Sequence, residues 1–338
     1  MTNNNPKGLS GFLCEVTDKL VPFQDCLACS QNDPTGCPMI PAVIHASINS
    51  IRDPDYALNL ARQAGAEVGY SVTELIACPR QTRLKALHPW YEKPSAMYRM
   101  NRGTGYHALL SASAAMLKAQ GALFIEEQTL KWKFTYREQS VLLIGTPDLI
   151  EWKPNGFYVT DYKVTGKAPF GRRVMICPHC GDAAKKITER RYFCDHCQIE
   201  LKSTQLERLY QAPQPRSSHV LQVNLYALLI EKNIAELQKQ IPDVDATFAG
   251  AQIVYLPDDK PVRCEVELDR ASAMSFLKQR LSALIDPDLP PILDDADEVW
   301  KCDFCAVRKH CEQLHGAPVG KDALATLVES EPALEVEG

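Results

Sequence analysis

The sequence predicts an α/β fold that is preceded by a cysteine-rich extension and interrupted by a cysteine-rich insertion. Three observations carry this. Apolar segments of strand length cluster at 123–136, 141–152 and 157–163, helical periodicity flanks them at 102–119 and 218–240, and thirteen cysteines sort into three groups of four with Cys264 left over. A chain of 338 residues with 45% hydrophobic content can bury a substantial core and hold one large domain with appendages. Its net charge of −5 argues against a protein that coats nucleic acid indiscriminately, yet leaves room for a local basic groove. No apolar run reaches the length of a membrane helix, and the polar start Met1-Thr2-Asn3-Asn4-Asn5 is no signal peptide. A soluble, cytoplasmic chain with no membrane partner is expected. In that compartment thirteen cysteines point to metal rather than disulfides.

Residues 1–50 are turn-rich and form the extension. Asp53-Pro54 opens a helix through about Glu67, with proline at the first helical position. Ser71-Val72-Thr73-Glu74 is a capping box that opens a second helix towards Leu87. The helix from Arg102 to Ala119 is apolar on one face and carries His107. The three strands follow, and Lys153-Pro154-Asn155-Gly156 predicts a hairpin turn between the last two, with Asn-Gly as its strongest signal. Residues 166–215 break the pattern. Regularity returns with a helix at 218–240, strands near 247–256 and 262–268, and a helix over Arg270–Ile285. The core is therefore expected over 51–165 and 216–316, and 317–338 reads as an acidic disordered tail. Cys264, on an alternating stretch, is expected to be a small buried apolar residue.

Gly145-Thr146-Pro147-Asp148 and Asp161-Tyr162-Lys163 put two carboxylates and a lysine on neighbouring strands. Mg²⁺ or Mn²⁺ takes oxygen ligands, which Asp148, Asp161 and the Tyr162 carbonyl would supply. Lys163 would orient an attacking water and meet developing charge. His107 is the candidate imidazole ligand, and imidazole tilts preference towards Mn²⁺. A surface hairpin with ordinary charges would carry the same residues, and a lone histidine on an amphipathic helix is more often structural.

The order of these motifs changes that balance. Gly-x-x-Asp, then Asp-x-Lys a dozen residues on, then Gln222-Val223-Asn224-Leu225-Tyr226 on a helix resembles the PD-(D/E)XK nuclease superfamily, RecB-like branch. Arg102-Gly103-Thr104-Gly105-Tyr106-His107 resembles that branch's upstream histidine motif, and the likeness spans about 70–315. It implies a restriction-endonuclease-like mixed central sheet flanked by helices. It also implies that Gln222 and Tyr226, four apart on one helical face, hold substrate and support the metal site.

Cys302-x2-Cys305-x5-Cys311 lacks a fourth ligand, and Cys78 in Ala77-Cys78-Pro79-Arg80 is the natural candidate. One cysteine before the core and three after it resembles the CRISPR-associated RecB-like exonucleases and the AddB-type nuclease domains, which implies a [4Fe–4S] cluster. Four thiolates suit Zn²⁺ equally. Joining residues 224 positions apart would remove roughly 4–5 kcal/mol of unfolded-state entropy, by analogy with a disulfide. The expected role is thus a staple. Arg80, Arg83, Lys85, Arg308 and Lys309 around it are candidates to face a phosphate backbone, as is Arg102.

Cys177-Pro178-His179-Cys180 and Cys194-Asp195-His196-Cys197 are two Cys-x2-Cys knuckles separated by 13 residues, a strong signal for a closed structural zinc site. The insertion is therefore expected to be a zinc ribbon, with His179 and His196 outside the ligand set. Between Gly166 and Tyr210, nine Lys/Arg oppose five Asp/Glu, and Arg172, Arg173, Arg190 and Arg191 are candidate nucleic-acid contacts. Tyr192 and Phe193 are available to stack bases, although a protein-docking ribbon fits nearly as well. Cys14, Cys26, Cys29 and Cys37 are assigned a second zinc, against free thiols in an arm.

The expectation is a Mg/Mn-dependent deoxyribonuclease acting on single-stranded DNA or DNA ends, an exonuclease before an endonuclease. CRISPR adaptation, recombination and mobile-element roles stay open, with an integrase or helicase as candidate protein partner. The alternatives are a non-cleaving nucleic-acid-binding or adaptor module, and a sequence-specific restriction-type endonuclease.

Overall fold

The computed structural model describes residues 8–32, 37–51, 53, 55–240, 247–293, 298–316 and 319, and leaves the side chains of Arg172 and Arg173 undescribed. Pro54 and, apart from Val319, the tail from 317 lie outside the described residues. Val319 is buried and packs beside Leu84 and Cys302, so the last core contact falls beyond the expected boundary at 316.

The extension is more regular than its turn formers suggest. It holds β1 (Gly8–Leu13), β2 (Leu20–Val21), α1 (Phe23–Asn32) and α2 (Pro41–Asn49), followed by α3 (Tyr56–Gln63) and β3 (Val68–Ser71). The capping box forms: Ser71 N–H donates to Glu74 Oε2 at 2.6 Å and Glu74 N–H to Ser71 Oγ at 3.2 Å. It opens only α4 (Val72–Ile76), and α5 (Pro79–Leu87) begins afresh. Pro79 is the reason, because its ring disfavours helical backbone at Cys78 and it brings no N–H. β4 (Pro89–Glu92) pairs in parallel with β1 and ties the extension to the core. α6 (Pro94–Ala119) starts eight residues before the expected point, with proline at its first turn.

The central strands are β5 (Phe124–Glu126), β6 (Leu130–Tyr136), β7 (Gln139–Gly145), β8 (Leu149–Lys153) and β9 (Gly156–Val164). Two of the three expected strands are thus broken. The first is split by a turn at Glu127, where φ is 44°. The second is split at Thr146-Pro147, where proline cannot donate to a ladder. In the β8–β9 hairpin, Lys153 pairs with Gly156, so the turn residues are Pro154-Asn155 rather than Asn-Gly. Gly156 takes φ 119°, where an added Cβ would lie 2.0 Å from Thr247 O.

The insertion comprises β10 (Arg172–Ile176), β11 (Lys185–Lys186), β12 (Arg191–Cys194), β13 (Ile199–Lys202) and β14 (Glu207–Gln211). Then come α7 (Ser217–Gln240), β15 (Phe248–Leu256), β16 (Val262–Val266), α8 (Arg270–Ile285) and, after a 3-10 segment at Val299–Phe304, α9 (Arg308–His315).

Two mixed sheets organise the core. One has the order β16-β15-β9-β8-β5, parallel at β15–β9 and antiparallel elsewhere, and the other is β3-β7-β6, parallel at β3–β7. The break at Thr146-Pro147 lets one run of chain serve both sheets. β7 is buried on both faces: Leu142 and Ile144 meet Ala57 and Ala61 of α3, while Val141 and Leu143 join the main core. α7 lies against both sheets, and every residue from Val223 to Ile230 is buried. A helix apolar all round is one enclosed on all sides. Each fully buried Leu or Ile contributes about 1.5–3 kcal/mol. Asn224 is the polar exception, donating to Val220 O at 3.0 Å and accepting the Asp269 N–H at 2.8 Å, which fixes the start of α8. Cys264 is a buried core residue of β16, as expected. Among the described residues no helix is long and apolar enough to cross a membrane.

Candidate functional site

The broken strand sets the site. Asp148 follows the interruption and sits beside β9, which supplies Asp161, Tyr162 and Lys163. Asp148 Oδ2 accepts the Tyr162 N–H at 2.7 Å, and its Oδ1 lies 3.0 Å from His107 Nδ1 on α6. It is thus the N–H of Tyr162, rather than its carbonyl, that is seen engaged. The Asp148 bond raises the His107 imidazole above its usual range despite burial.

Asp161 is 2% exposed, and burial pushes its carboxyl up to about 6, opposed by Lys163 and reinforced by Asp148. Lys163 Nζ lies 2.8 Å from Asp161 Oδ2 and forms an ion pair with this enclosed oxygen. Nζ also donates to Gln222 Oε1 at 2.7 Å, and Gln222 Nε2 donates to the Tyr226 hydroxyl at 2.9 Å. The four-residue spacing read from the sequence is realised as this relay. His107, Asp148 and Asp161 converge without closing to within 4.8 Å of one another. Two neighbouring carboxylates, with Asp148 raising the cost of ionising Asp161, are what a hard cation would satisfy. The His107 nitrogen that meets this pair, Nδ1, is engaged by Asp148, so the structure shows His107 positioning that carboxylate rather than offering a ligand atom beside Asp161.

Sequence reasoning missed His219 and Tyr255. His219 Nδ1 lies 2.9 Å from the Tyr255 hydroxyl, which also accepts the Arg216 N–H at 3.0 Å. Burial, with Lys163 next among the causes, lowers His219 to about 3. The available signal was His219 three residues before Gln222 on the same helical face. Nothing in the sequence paired Tyr255 with Lys163.

Among the described residues, two groups bring three or more such ligand atoms within 4.8 Å of one another. One is Cys177, Cys180, Cys194 and Cys197, with Sγ–Sγ distances of 4.0 Å (Cys177–Cys197) and 3.4 Å (Cys180–Cys194). This cluster could hold a metal such as zinc or an iron–sulfur centre. The other, Cys180, Asp182 and His196, shares a thiol with the first, and His196 is spent on Asp182 at 3.0 Å.

Cys78, Cys302, Cys305 and Cys311 line one cavity with Leu84, Ile292, Leu293 and Val307, without closing to 4.8 Å. Burial pushes the Cys302 and Cys305 thiols up to about 11. Cys26 and Cys29 sit one turn apart on α1, and burial followed by the neighbouring Cys37, Cys14 and Cys29 pushes Cys26 up to about 11. That quartet does not close to 4.8 Å either.

Several expected phosphate contacts are engaged elsewhere. Arg80 is buried, donating from Nε to Cys311 Sγ at 3.2 Å and from Nη1 to Pro290 O at 2.8 Å, so it faces the thiols and no external phosphate. Arg83 caps the carbonyls of Leu284 and Asp286, Lys85 lies 3.9 Å over the Trp90 ring, and Arg308 pairs with Glu312. Lys309 is exposed. Arg102 is exposed, 3.6 Å from Asp258. In the insertion Arg190 is exposed and Arg191 pairs with Glu200 at 3.1 Å, while Lys185 and Lys186 pair with Asp195 and Glu189. The roles given to the side chains of Arg172 and Arg173 lie outside what is described. Tyr192 packs into the small core of the insertion and Phe193 is half-buried, whereas Phe170 (81% exposed) and Tyr210 (64%) are the open aromatics.

No known family and no curated protein matches the sequence. A solved structure described as "Crystal structure of SSO0001" is similar over 70% of this chain and 83% of its own, at 14% identity and a TM-score of 0.38, too low to carry an argument.

Proposed function

We propose that this chain is a metal-dependent nuclease that hydrolyses phosphodiester bonds of DNA, single-stranded or at ends, on a PD-(D/E)XK core of the RecB-like kind. The observation that carries it is the meeting of Asp148, Asp161 and Lys163 with His107 and the Gln222–Tyr226 relay, in the chain order that this branch uses. Mg²⁺ or Mn²⁺ bound between Asp148 and Asp161 would supply an activated water and neutralise charge on the attacked phosphate. His107 holds Asp148 in place. Gln222 fixes the Lys163 ammonium 2.7 Å away, where it orients the water and meets negative charge as it develops. Asp161, enclosed and disfavoured as an anion by itself, is poised to gain from a cation.

The Cys177/Cys180/Cys194/Cys197 insertion is proposed as a zinc ribbon. A tetrahedral ion with bonds of about 2.3 Å spaces its thiolates by about 3.8 Å, which the 3.4 and 4.0 Å separations bracket. The wider Cys78/Cys302/Cys305/Cys311 quartet suits a polynuclear group, and a [4Fe–4S] cluster is proposed there, with Arg80 balancing the thiolate charge. The Cys14/Cys26/Cys29/Cys37 set is proposed as a second, peripheral metal site.

The test is Mn²⁺- and Mg²⁺-dependent cleavage of labelled single-stranded DNA with 5′, 3′ or no free ends, comparing wild type with Asp161→Ala and Lys163→Ala. Cleavage lost in both variants supports the reading. Equal cutting by the variants overturns the assigned centre, and no cutting by wild type on any substrate hands the chain to the non-cleaving binding role. Metal content closes the cofactor question: a brown anaerobic preparation carrying iron supports the cluster, and a colourless zinc-only protein refutes it.

A further inference from the structure

We infer that His219 is a fixed, uncharged hydrogen-bond donor to the scissile phosphate, oriented by Tyr255. The inference rests on the nuclease reading above and adds a residue to the same site.

α7 meets β9 and β15 through two parallel contacts less than one helical turn apart. Gln222 receives Lys163 Nζ at 2.7 Å, and three residues earlier His219 Nδ1 meets the Tyr255 hydroxyl at 2.9 Å. Lys163 and Tyr255 are direct partners in the parallel pairing of β9 with β15. His219 therefore stands beside the ammonium, on the same face of the sheet.

The position of its proton follows from Tyr255. That residue is fully enclosed, and its oxygen accepts the Arg216 N–H at 3.0 Å. The arrangement that satisfies a buried hydroxyl as both acceptor and donor has its hydrogen on the bond to Nδ1. A neutral imidazole then carries its single proton on Nε2. Burial and the positive neighbours Lys163, Arg216 and Lys301 keep the ring neutral. A ring so poor in basicity cannot act as a general base, the commonest task of histidine in hydrolysis. His219 is half-buried, and its one ring hydrogen bond among the described residues uses Nδ1, which leaves the Nε2 N–H for a ligand. Beside Lys163 and Arg216, the ligand it can serve is an anion with acceptor oxygens. In a phosphodiester site that is the phosphate itself.

The experiment is steady-state cleavage of single-stranded DNA with Mn²⁺ by wild type, His219→Ala, His219→Gln, Tyr255→Phe and the His219→Ala/Tyr255→Phe double variant, with thermal unfolding run alongside. Loss of a donor to transition-state charge is expected to lower kcat of His219→Ala by about 10²-fold with KM changed less than about threefold. His219→Gln, which keeps an N–H donor, should recover part of that loss. Tyr255→Phe should lower kcat by roughly tenfold, and the double variant should be no slower than His219→Ala, because Tyr255 acts through His219. A His219→Ala enzyme within about threefold of wild type in kcat overturns the inference, as does a double variant whose defects multiply. If wild type cuts while Asp161→Ala does not, either result sinks this inference alone. If wild type cuts nothing, the nuclease reading falls and takes this one with it.

Discussion

Asp161 is enclosed by β9, β15 and α7, and burial moves its carboxyl from 3.8 to about 6. Asp161→Asn is expected to make the metal-free protein more stable while abolishing the proposed cleavage. In the unfolded chain this group ionises above about 4, in the fold only above about 6. Between those values the folded state holds more protons, so stability falls as pH rises through the window and stays depressed above it. A shift of about two units at 1.36 kcal/mol each gives about 3 kcal/mol. The attraction of Lys163 is already contained in that shift, since it opposes the burial effect. Asparagine has nearly the same shape and carries no charge, so at pH 7.5 it removes the whole penalty. The assay is thermal unfolding of both proteins in buffers stripped of divalent ions. The variant should melt on the order of 5 °C higher at pH 7.5, and the gap should close on approach to pH 4. Equal or lower stability of Asp161→Asn at pH 7.5, or a gap that does not vary with pH, would refute the claim that enclosure makes this carboxylate costly. Adding Mn²⁺ should then raise the melting temperature of wild type but not of the variant.

Three further outcomes follow from the geometry. Gly145→Ala would put a Cβ 2.4 Å from Leu229 Cδ1 and 3.0 Å from the Tyr226 ring, costing about 1–3 kcal/mol in chemical denaturation and disturbing the Gln222–Tyr226 relay. His107 is raised by Asp148, so its stabilising charge is present below the unfolded value of 6.5 and is lost as pH rises through the folded value; His107→Ala should therefore destabilise more at pH 6 than at pH 9 in paired melting curves. Arg80→Ala should lower iron content and stability, by about 2 kcal/mol for a lost charged hydrogen bond, and leave KM for DNA unchanged, since the guanidinium faces Cys311 and Pro290.

How much of this was legible in the residues depends on distance along the chain. Asp148, Asp161 and Lys163 sit on segments whose strand character is local, so their convergence could be read from order and spacing. The Ser71 capping box, the hairpin before Gly156 and the long helix through Gln222 are equally local signals. What failed was continuity. Pro79 and Pro147 each ended an element that periodicity alone would have continued, and Pro147 sent the two halves of one run into different sheets. Charge was also misread. A basic side chain has the same letter whether it faces solvent or, like Arg80, a buried thiol, and only its partners decide. The pairing of Tyr255 with Lys163 depends on parallel register between strands 92 positions apart, which no local pattern encodes.

The cavity lined by Cys78, Cys302, Cys305 and Cys311 has a consequence in time. Cys78 leaves the ribosome long before Cys302, Cys305 and Cys311, and at roughly 5–20 residues per second the interval is about 10–45 s. In its later part, once residue 163 has been made, the growing chain already carries His107, Asp148, Asp161 and Lys163, yet the cavity beside α5 has one wall only. Maturation of the scaffold around those side chains is thus deferred until the segment from Cys302 to Cys311 has been made.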